Sequence, residues 1–400
     1  MKAHEARDTT LRIIIGTPTQ RVHTRRISEV VRVRRVGRLR LGVRDGNLVI
    51  ELPGVCQALS DAPWNGGLTS VKYVVNHQVP EDFDCRSPQQ EILRTLAHLN
   101  IPREEAIGMM TAADVSGFSV KRRRLGRVSV ASLATVGLTN TRGVLEPPSN
   151  SGSPSTVNLI VFCECAATPA AMVNALQTAV EAKCGLFRLL DTRSTTSGLP
   201  AAGTSTDTTT IMFSGVGERF EYAGTATTLG YLVGVTVTQC LLARLRETKF
   251  VGRGVLQRLG ERGIGVEDLV EAAVGGIVGS KPRLFERIFL AELSAALSDP
   301  NVASLILAAL RLEDEAEWDM IPGLPKSLHD EDPVQVTADE DIGEMIARYL
   351  AGTRGIHNFH HYDRLKPGCL SRLPMFLDDA LCGLIGGLAS KVFSEMGRVR

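Results

Sequence analysis

The stretch RETKFVGRGVLQRLGERG, residues 246–263, is basic and punctuated by glycine, and it separates two different alphabets. Before it, short β-branched runs alternate with helical patterns. NLVIELP (47–53), VKYVVN (71–76), RVSVASLATVGL (127–138), TVNLIVFCE (156–164) and TTTIMFSG (208–215) have strand character. Ser87–Leu99, with Ile92, Leu93 and Leu96 on one face, has helical character. After the stretch, GVEDLVEAAVGGIV, LFERIFLAELSAAL, NVASLILAALRL, DEDIGEMIARYL and LDDALCGLIGGLASKVF all carry helical spacing, with Gly and Pro between them. The expectation is two domains, a mixed α/β (α+β) domain over 1–245 and an all-α helical domain over 255–400. A length of 400 residues suits that division.

Composition narrows the function classes. With 44% apolar and 22% charged residues the chain is globular. A net charge of +1 gives no overall field for nucleic acid or an anionic membrane. The arginine-rich segment Arg21–Arg44 alternates Val31, Val33, Leu39 and Leu41 with arginines and lacks interleaved aromatics, so it reads as strands with a basic solvent face. Eight cysteines without a CxxC pair fit a reducing compartment, and the N-terminus lacks a signal-peptide pattern, which together predict a cytoplasmic protein. Residues 222–243 carry no charge, but five threonines and three glycines dilute them, and we expect a buried core element there instead of a membrane span. EPPSNSGSPS (146–155) reads as a surface loop.

Three features suggest chemistry. In TPAAMVNALQTAVEAKCGLF (168–187), Thr168 caps a helix, Pro169 opens it, and Met172, Val173, Leu176, Ala179 and Val180 form a stripe on which Lys183 falls. A snorkelling stem or an ammonium facing a polar pocket would each put lysine there. In GTSTDTTT (203–210), Asp207 is the only charge between Arg193 and Glu218, as a base or substrate anchor or as the organiser of its own turn. In the final helix, Asp378, Asp379 and Lys391 are the only charges between Pro374 and Phe393, and two carboxylates on so apolar a helix call for a partner such as a divalent cation. TADEDIG (337–343) adds Asp339 at the edge of a stripe of Ile342, Met345, Ile346 and Tyr349. Glu340 falls on the opposite side, where with Thr337 it makes a capping box. HNFHHYDRLKPG (357–368) brings Arg364 and Lys366, suited to phosphate.

DEDIG, DRLKPG and LDDALCGL, in that order, resemble the signature blocks of the phosphatidylglycerophosphatase A family and its soluble relatives, Mg²⁺-dependent phosphomonoesterases that include alpha-ribazole phosphatases. That resemblance implies Asp339, Glu340, Asp378 and Asp379 as metal ligands, Asp363 and Asp378 as catalytic carboxylates, Lys366 as a phosphate contact, and Mg²⁺ or another divalent cation as cofactor. WNGGL and VVNHQVP (64–80), GMMTAADV (108–115), VGLTN (136–140), residues 155–187 and GTSTDTTTI (203–211) resemble the adenosylcobinamide amidohydrolase family. The second resemblance implies amide hydrolysis giving adenosylcobyric acid and 1-amino-2-propanol, with no cofactor firmly implied. Its candidate catalytic residues are Asp207, Glu181, Lys183, Thr206 and His77, with Thr204 a further hydroxyl and Asn140 and Asn158 as donors to substrate. The two resemblances together imply a bifunctional hydrolase of cobalamin salvage acting on adenosylcobinamide and alpha-ribazole 5′-phosphate, without nucleic-acid or membrane partners and with a homo-oligomer left open. The rival expectation is a non-catalytic corrinoid-binding module fused to a phosphatidylglycerophosphate phosphatase.

Overall fold

The computed structural model describes residues 34–84, 86–148, 155–277 and 282–398. Residues 21–33 of the arginine-rich segment and most of the 146–155 loop lie outside them. The first half is built on β1 (Arg34–Val36), β2 (Leu39–Arg44), β3 (Asn47–Ser60), β4 (Gly67–Gln78), β5 (Ala106–Thr111), β6 (Ser119–Leu125), β7 (Val128–Val136), β8 (Val157–Cys163) and β10 (Thr208–Phe213), with helices α1 (Pro88–His98), α2 (Pro169–Leu189) and α3 (Thr228–Glu247). A small parallel pair, β9 (Ala166–Ala167) and β11 (Arg219–Phe220), stands apart. The main sheet runs β1-β2-β3-β10-β8-β7-β6, with β4 joined to β3 and β5 joined to β4.

β3 decides the shape of this sheet. Pro53 has no N–H to give a ladder, and the register with β4 shifts between Glu51 and Cys56 around it. The strand does not end there, as the sequence pattern predicts. Its first part pairs with β2 and its last part with β10. The resulting curl brings the sheet's ends together: Gly37, at φ +58°, leaves no room for a Cβ beside Arg122 and Glu164. The sheet is therefore nearly closed. Leu48, Ile50, Val74, Ile107, Met109, Leu133, Phe162 and Met212 fill its inside.

On the outside, α2 and α3 cover β7, β8 and β10 through Met172, Ala175, Phe187, Leu229, Val233 and Val237. The uncharged stretch 222–243 thus contributes a sheet-packed helix. α3 has the length and apolarity to cross a membrane, and half of its most apolar window is buried inside the protein. Val173 and Val180, placed on the α2 stripe by the sequence pattern, are 48% and 37% exposed, because the buried face is rotated toward Ala171, Thr178 and Lys183.

The second half is helical: α4 (Val255–Gly260), α5 (Val266–Gly275), α6 (Pro282–Ser298), α7 (Pro300–Ala316), α8 (Lys326–His329), α9 (Ala338–Leu365) and α10 (Met375–Arg398). α10 is central, with Leu377, Leu381, Leu384, Ile385, Leu388 and Val392 buried. α9 is broken at Ala351 and Gly352, whose backbones leave helical geometry. A Cβ on Gly355 would overlap the carbonyl of Ala347, so arms 338–350 and 353–365 fold back against each other. Gly383 meets Gly343 and Gly386 meets Phe359 with no space for side chains, which lets α10 lie directly on both arms.

Candidate active sites

The first site lies where the GTSTD loop enters β10. Thr168 accepts the Ala171 N–H at 3.2 Å and starts α2, whose buried face delivers Lys183, only 7% exposed, toward the sheet. Lys183 Nζ lies 2.5 Å from Asp207 Oδ2. Asp207 Oδ1 accepts the Thr204 hydroxyl at 2.5 Å and the Val157 N–H at 3.0 Å. A lysine-paired carboxylate holding a threonine hydroxyl can take a proton and orient a nucleophile. Gly203 is required there, since any Cβ would overlap Asp207 Oδ2.

The other N-terminal candidates divide. Asn140 joins the site by clamping the loop: its Nδ2 donates to Ser205 Oγ at 3.0 Å, and its carbonyl accepts the Ser205 N–H. Thr206 is exposed, and its hydroxyl donates to the Ser155 carbonyl. Asn158 is fully buried inside the sheet, where Nδ2 donates to Asn76 Oδ1 at 2.7 Å and to the Met110 carbonyl at 2.8 Å. Its remaining Oδ1 is buried without a partner. Glu181 is exposed on the far side of α2 from Lys183, two positions being about 200° apart on a helix. His77 is not brought to Asp207. It points away from Asn76, its neighbour in β4, toward Asn47 Oδ1 at 2.7 Å and Glu91 on α1 at 3.6 Å, and burial holds its ring below the ordinary value.

Asp61 was not singled out by the sequence pattern. It follows β3, accepts the Thr209 N–H at 2.7 Å, and stands close enough to Lys183 and Asp207 to feel both charges. Desolvation keeps its carboxyl above the ordinary value. Only the pairing of β3 with β10, distant in sequence, could have identified it.

The second site sits at one end of the helical half. The fold-back of α9 places Asp339 and Glu340, at its start, and Asp363, near its end, beside Asp378 and Asp379 on α10. Two trios of carboxylate oxygens, Asp339–Glu340–Asp379 and Asp363–Asp378–Asp379, each lie within 4.8 Å. Asp339, Asp378 and Asp379 are at most 6% exposed. Burial first, then the neighbouring carboxylates, push Asp379 up to about 8. Burial and Glu340 push Asp339 up to about 7. Among the described residues Asp339 Oδ1 and Glu340 Oε2 are buried without a hydrogen-bond partner, so hard oxygen donors converge there unsatisfied, and the site fits a divalent cation.

Glu340 corrects the sequence pattern. Thr337 makes no side-chain cap, so no capping box forms, and Glu340 joins the cluster from which the helical wheel would exclude it. Lys366 takes the left-handed φ of +40° at the end of α9 and pairs with Asp378, with Asp332 at 3.4 Å and Asp363 at 3.8 Å. Burial draws its ammonium down, but the bond to Asp378 outweighs this and holds it above the ordinary value. Arg364 is exposed. His360 meets Glu344 at 3.3 Å, and His361 meets the Gly276 carbonyl at 2.9 Å. Glu313 on α7 is the residue the sequence hid. Its Oε1 accepts the N–H groups of Phe376 at 2.6 Å and Leu377 at 3.1 Å in the first turn of α10, and His329 Nε2 holds its other oxygen at 2.9 Å.

Residues 31–250 match the family model described as adenosylcobinamide amidohydrolase. A Methanosarcina mazei protein named adenosylcobinamide amidohydrolase is 27% identical over 212 residues, covering 51% of this chain and 96% of that one. An uncharacterized protein of Methanocaldococcus jannaschii is 46% identical over 101 residues, 24% of this chain and 76% of that one. Among solved structures, Bacillus subtilis ypjQ is 23% identical with a TM-score of 0.33, covering 36% of this chain and 94% of that one, a likeness too low to bear on the fold. The match over more than half its length makes this chain a member of the adenosylcobinamide amidohydrolase family.

Proposed function

We propose that the chain is a two-headed hydrolase whose first half cleaves the amide of adenosylcobinamide, adding water to give adenosylcobyric acid and 1-amino-2-propanol. The observation that carries this reading is Asp207 held between the Lys183 ammonium and the Thr204 hydroxyl. Asp207 accepts the Thr204 proton as that oxygen attacks the amide carbonyl. Lys183 balances the charge of the carboxylate and holds it aimed at Thr204, and the amine leaves with the proton Asp207 took up. Water, activated at the same carboxylate, then releases the acid. Asn140 holds the loop in place.

The second half acts on a phosphomonoester, alpha-ribazole 5′-phosphate. Asp339, Glu340, Asp363, Asp378 and Asp379 would hold Mg²⁺, which when bound neutralises charge developing on the phosphoryl oxygens. Lys366 binds the phosphate, and Glu313 fixes the first turn of α10 so that Asp378 and Asp379 face inward. We place both activities in the cytoplasm, with small molecules as partners.

The test is to incubate the purified full chain with each substrate in Mg²⁺ and in EDTA, measuring aminopropanol and inorganic phosphate. Phosphate release that needs Mg²⁺, with aminopropanol release indifferent to EDTA, is expected. Tight corrinoid binding without any aminopropanol release would contradict the first assignment. Phosphate release unaffected by EDTA would contradict the second.

A further inference from the structure

Between the two halves lies an arginine cluster that neither reaction uses. Asp191 follows α2 at φ +56° and is 3% exposed. Its carboxylate receives Arg193 at 2.6 Å, Arg258 at 2.5 Å, Arg262 at 3.0 Å and Arg311 at 3.7 Å. Asp314 on α7 pairs with Arg193, and lies 3.4 Å from Arg262 and 3.8 Å from Arg311. Arg253 reaches Glu261 at 2.7 Å and the Leu190 and Asp191 carbonyls. Five guanidinium groups thus face three carboxylates, in a junction where four of the five arginine side chains are no more than 16% exposed. Arg262 is held below its ordinary value by burial and by the adjacent charge of Arg193. Each arginine has a carboxylate partner, but the five positive charges exceed the three negative ones, and an anion would offset that excess.

That charge opens onto a cleft of about 590 Å³, lined on one side by Arg193 and the hydroxyl-bearing Ser194, Thr195 and Thr196, and on the other by Gln257 and Arg262. Planar guanidinium groups beside hydroxyls suit the oxygens of a dianion, and the cleft is larger than a bare phosphate needs. Glu261, also in the wall, gives its Oε1 to Arg253, while its Oε2 is buried without a hydrogen-bond partner among the described residues.

We propose that this junction cleft binds a phosphorylated small molecule, its phosphate oxygens met by Arg193, Arg262 and the Thr195 and Thr196 hydroxyls, and its organic body filling the remainder. The site is independent of both reactions proposed above. Titration calorimetry on the full chain in EDTA, which removes any cation from the carboxylate site, tests it with ribose 5-phosphate, inorganic phosphate and ribose. Ribose 5-phosphate should bind more tightly than phosphate, and ribose should not bind. Thr196→Glu, at an exposed position, should weaken ribose 5-phosphate by roughly tenfold or more without changing the melting temperature, and Arg262→Gln should weaken it similarly. Failure of ribose 5-phosphate to bind, or undiminished binding by Thr196→Glu, overturns the site. Equal affinity for phosphate and ribose 5-phosphate overturns the place assigned to the organic body.

Discussion

Chelating divalent cations from the full chain should make its helical half progressively less stable as pH rises from 5 to 8. Asp379 stands at about 8 in the folded protein, against an ordinary carboxyl value near 3.9. Between those values the folded state binds more protons than the unfolded state, so stability falls with rising pH. The penalty is absent below about pH 4, where both states are protonated, and complete above about pH 8. At about 1.4 kcal/mol per pH unit, the loss from pH 5 to 8 is roughly 3–4 kcal/mol. Asp339, raised to about 7 in the same cluster, acts in the same direction. A cation present at a hundred times its dissociation constant would return about 2.7 kcal/mol. The assay is guanidinium unfolding followed by far-ultraviolet circular dichroism, in EDTA and in Mg²⁺, for wild type and Asp379→Asn. Wild type should lose stability with pH in EDTA and recover it in Mg²⁺, whereas Asp379→Asn should show a flatter pH dependence and little response to Mg²⁺. Stability in EDTA that is constant or rises from pH 5 to 8 would refute the reasoning.

Lys183→Met leaves the 11%-exposed Asp207 carboxylate without its cation and should cost about 3–5 kcal/mol by denaturant unfolding, part of which Asp207→Asn added in the same chain should restore. Gly383→Ala forces a methyl into the Gly343 carbonyl, pushes α9 from α10, and should weaken Mg²⁺ binding measured calorimetrically more than it lowers kcat at saturating Mg²⁺. Glu313→Ala strips two N–H groups of α10 of their acceptor; we expect a loss of about 1–3 kcal/mol in thermal unfolding and slower phosphate release, with aminopropanol release unchanged.

The division into sheet and helices was readable because period-two and period-3.6 patterns rarely overlap. The residues that reading singled out and the structure brings together were those whose oddity is local: Asp207 alone in a hydroxyl-rich loop, Lys183 on an apolar stripe, Asp378 and Asp379 on a buried helix. What it missed depends on contacts distant in sequence. Pro53 looks like a strand end, yet β3 continues beyond it because a bulge absorbs the missing donor. β6 is so charged, with Lys121 to Arg124 in its middle, that only its pairing with β7 marks it as a strand. Spacing alone put Glu340 in a capping box, and only the family resemblance made it a metal ligand; the fold-back of α9 supplies the carboxylates it meets. Asp61 and Glu313 carry no local signal, since β10 and the first turn of α10 give them their partners. His77 shows the converse: beside Asn76 in sequence, it lies on the opposite face of β4 and meets Asn47 and Glu91 instead of Asp207, because neighbours in a strand face opposite ways.

The most direct test of the amide reaction is the rate of 1-amino-2-propanol release from adenosylcobinamide by wild type, Asp207→Asn and Thr204→Ala, with corrinoid binding measured on the same preparations. If Asp207 and Thr204 perform the chemistry, both variants should still bind corrinoid while release falls by two or more orders of magnitude. Release at the wild-type rate by folded Asp207→Asn would contradict the account.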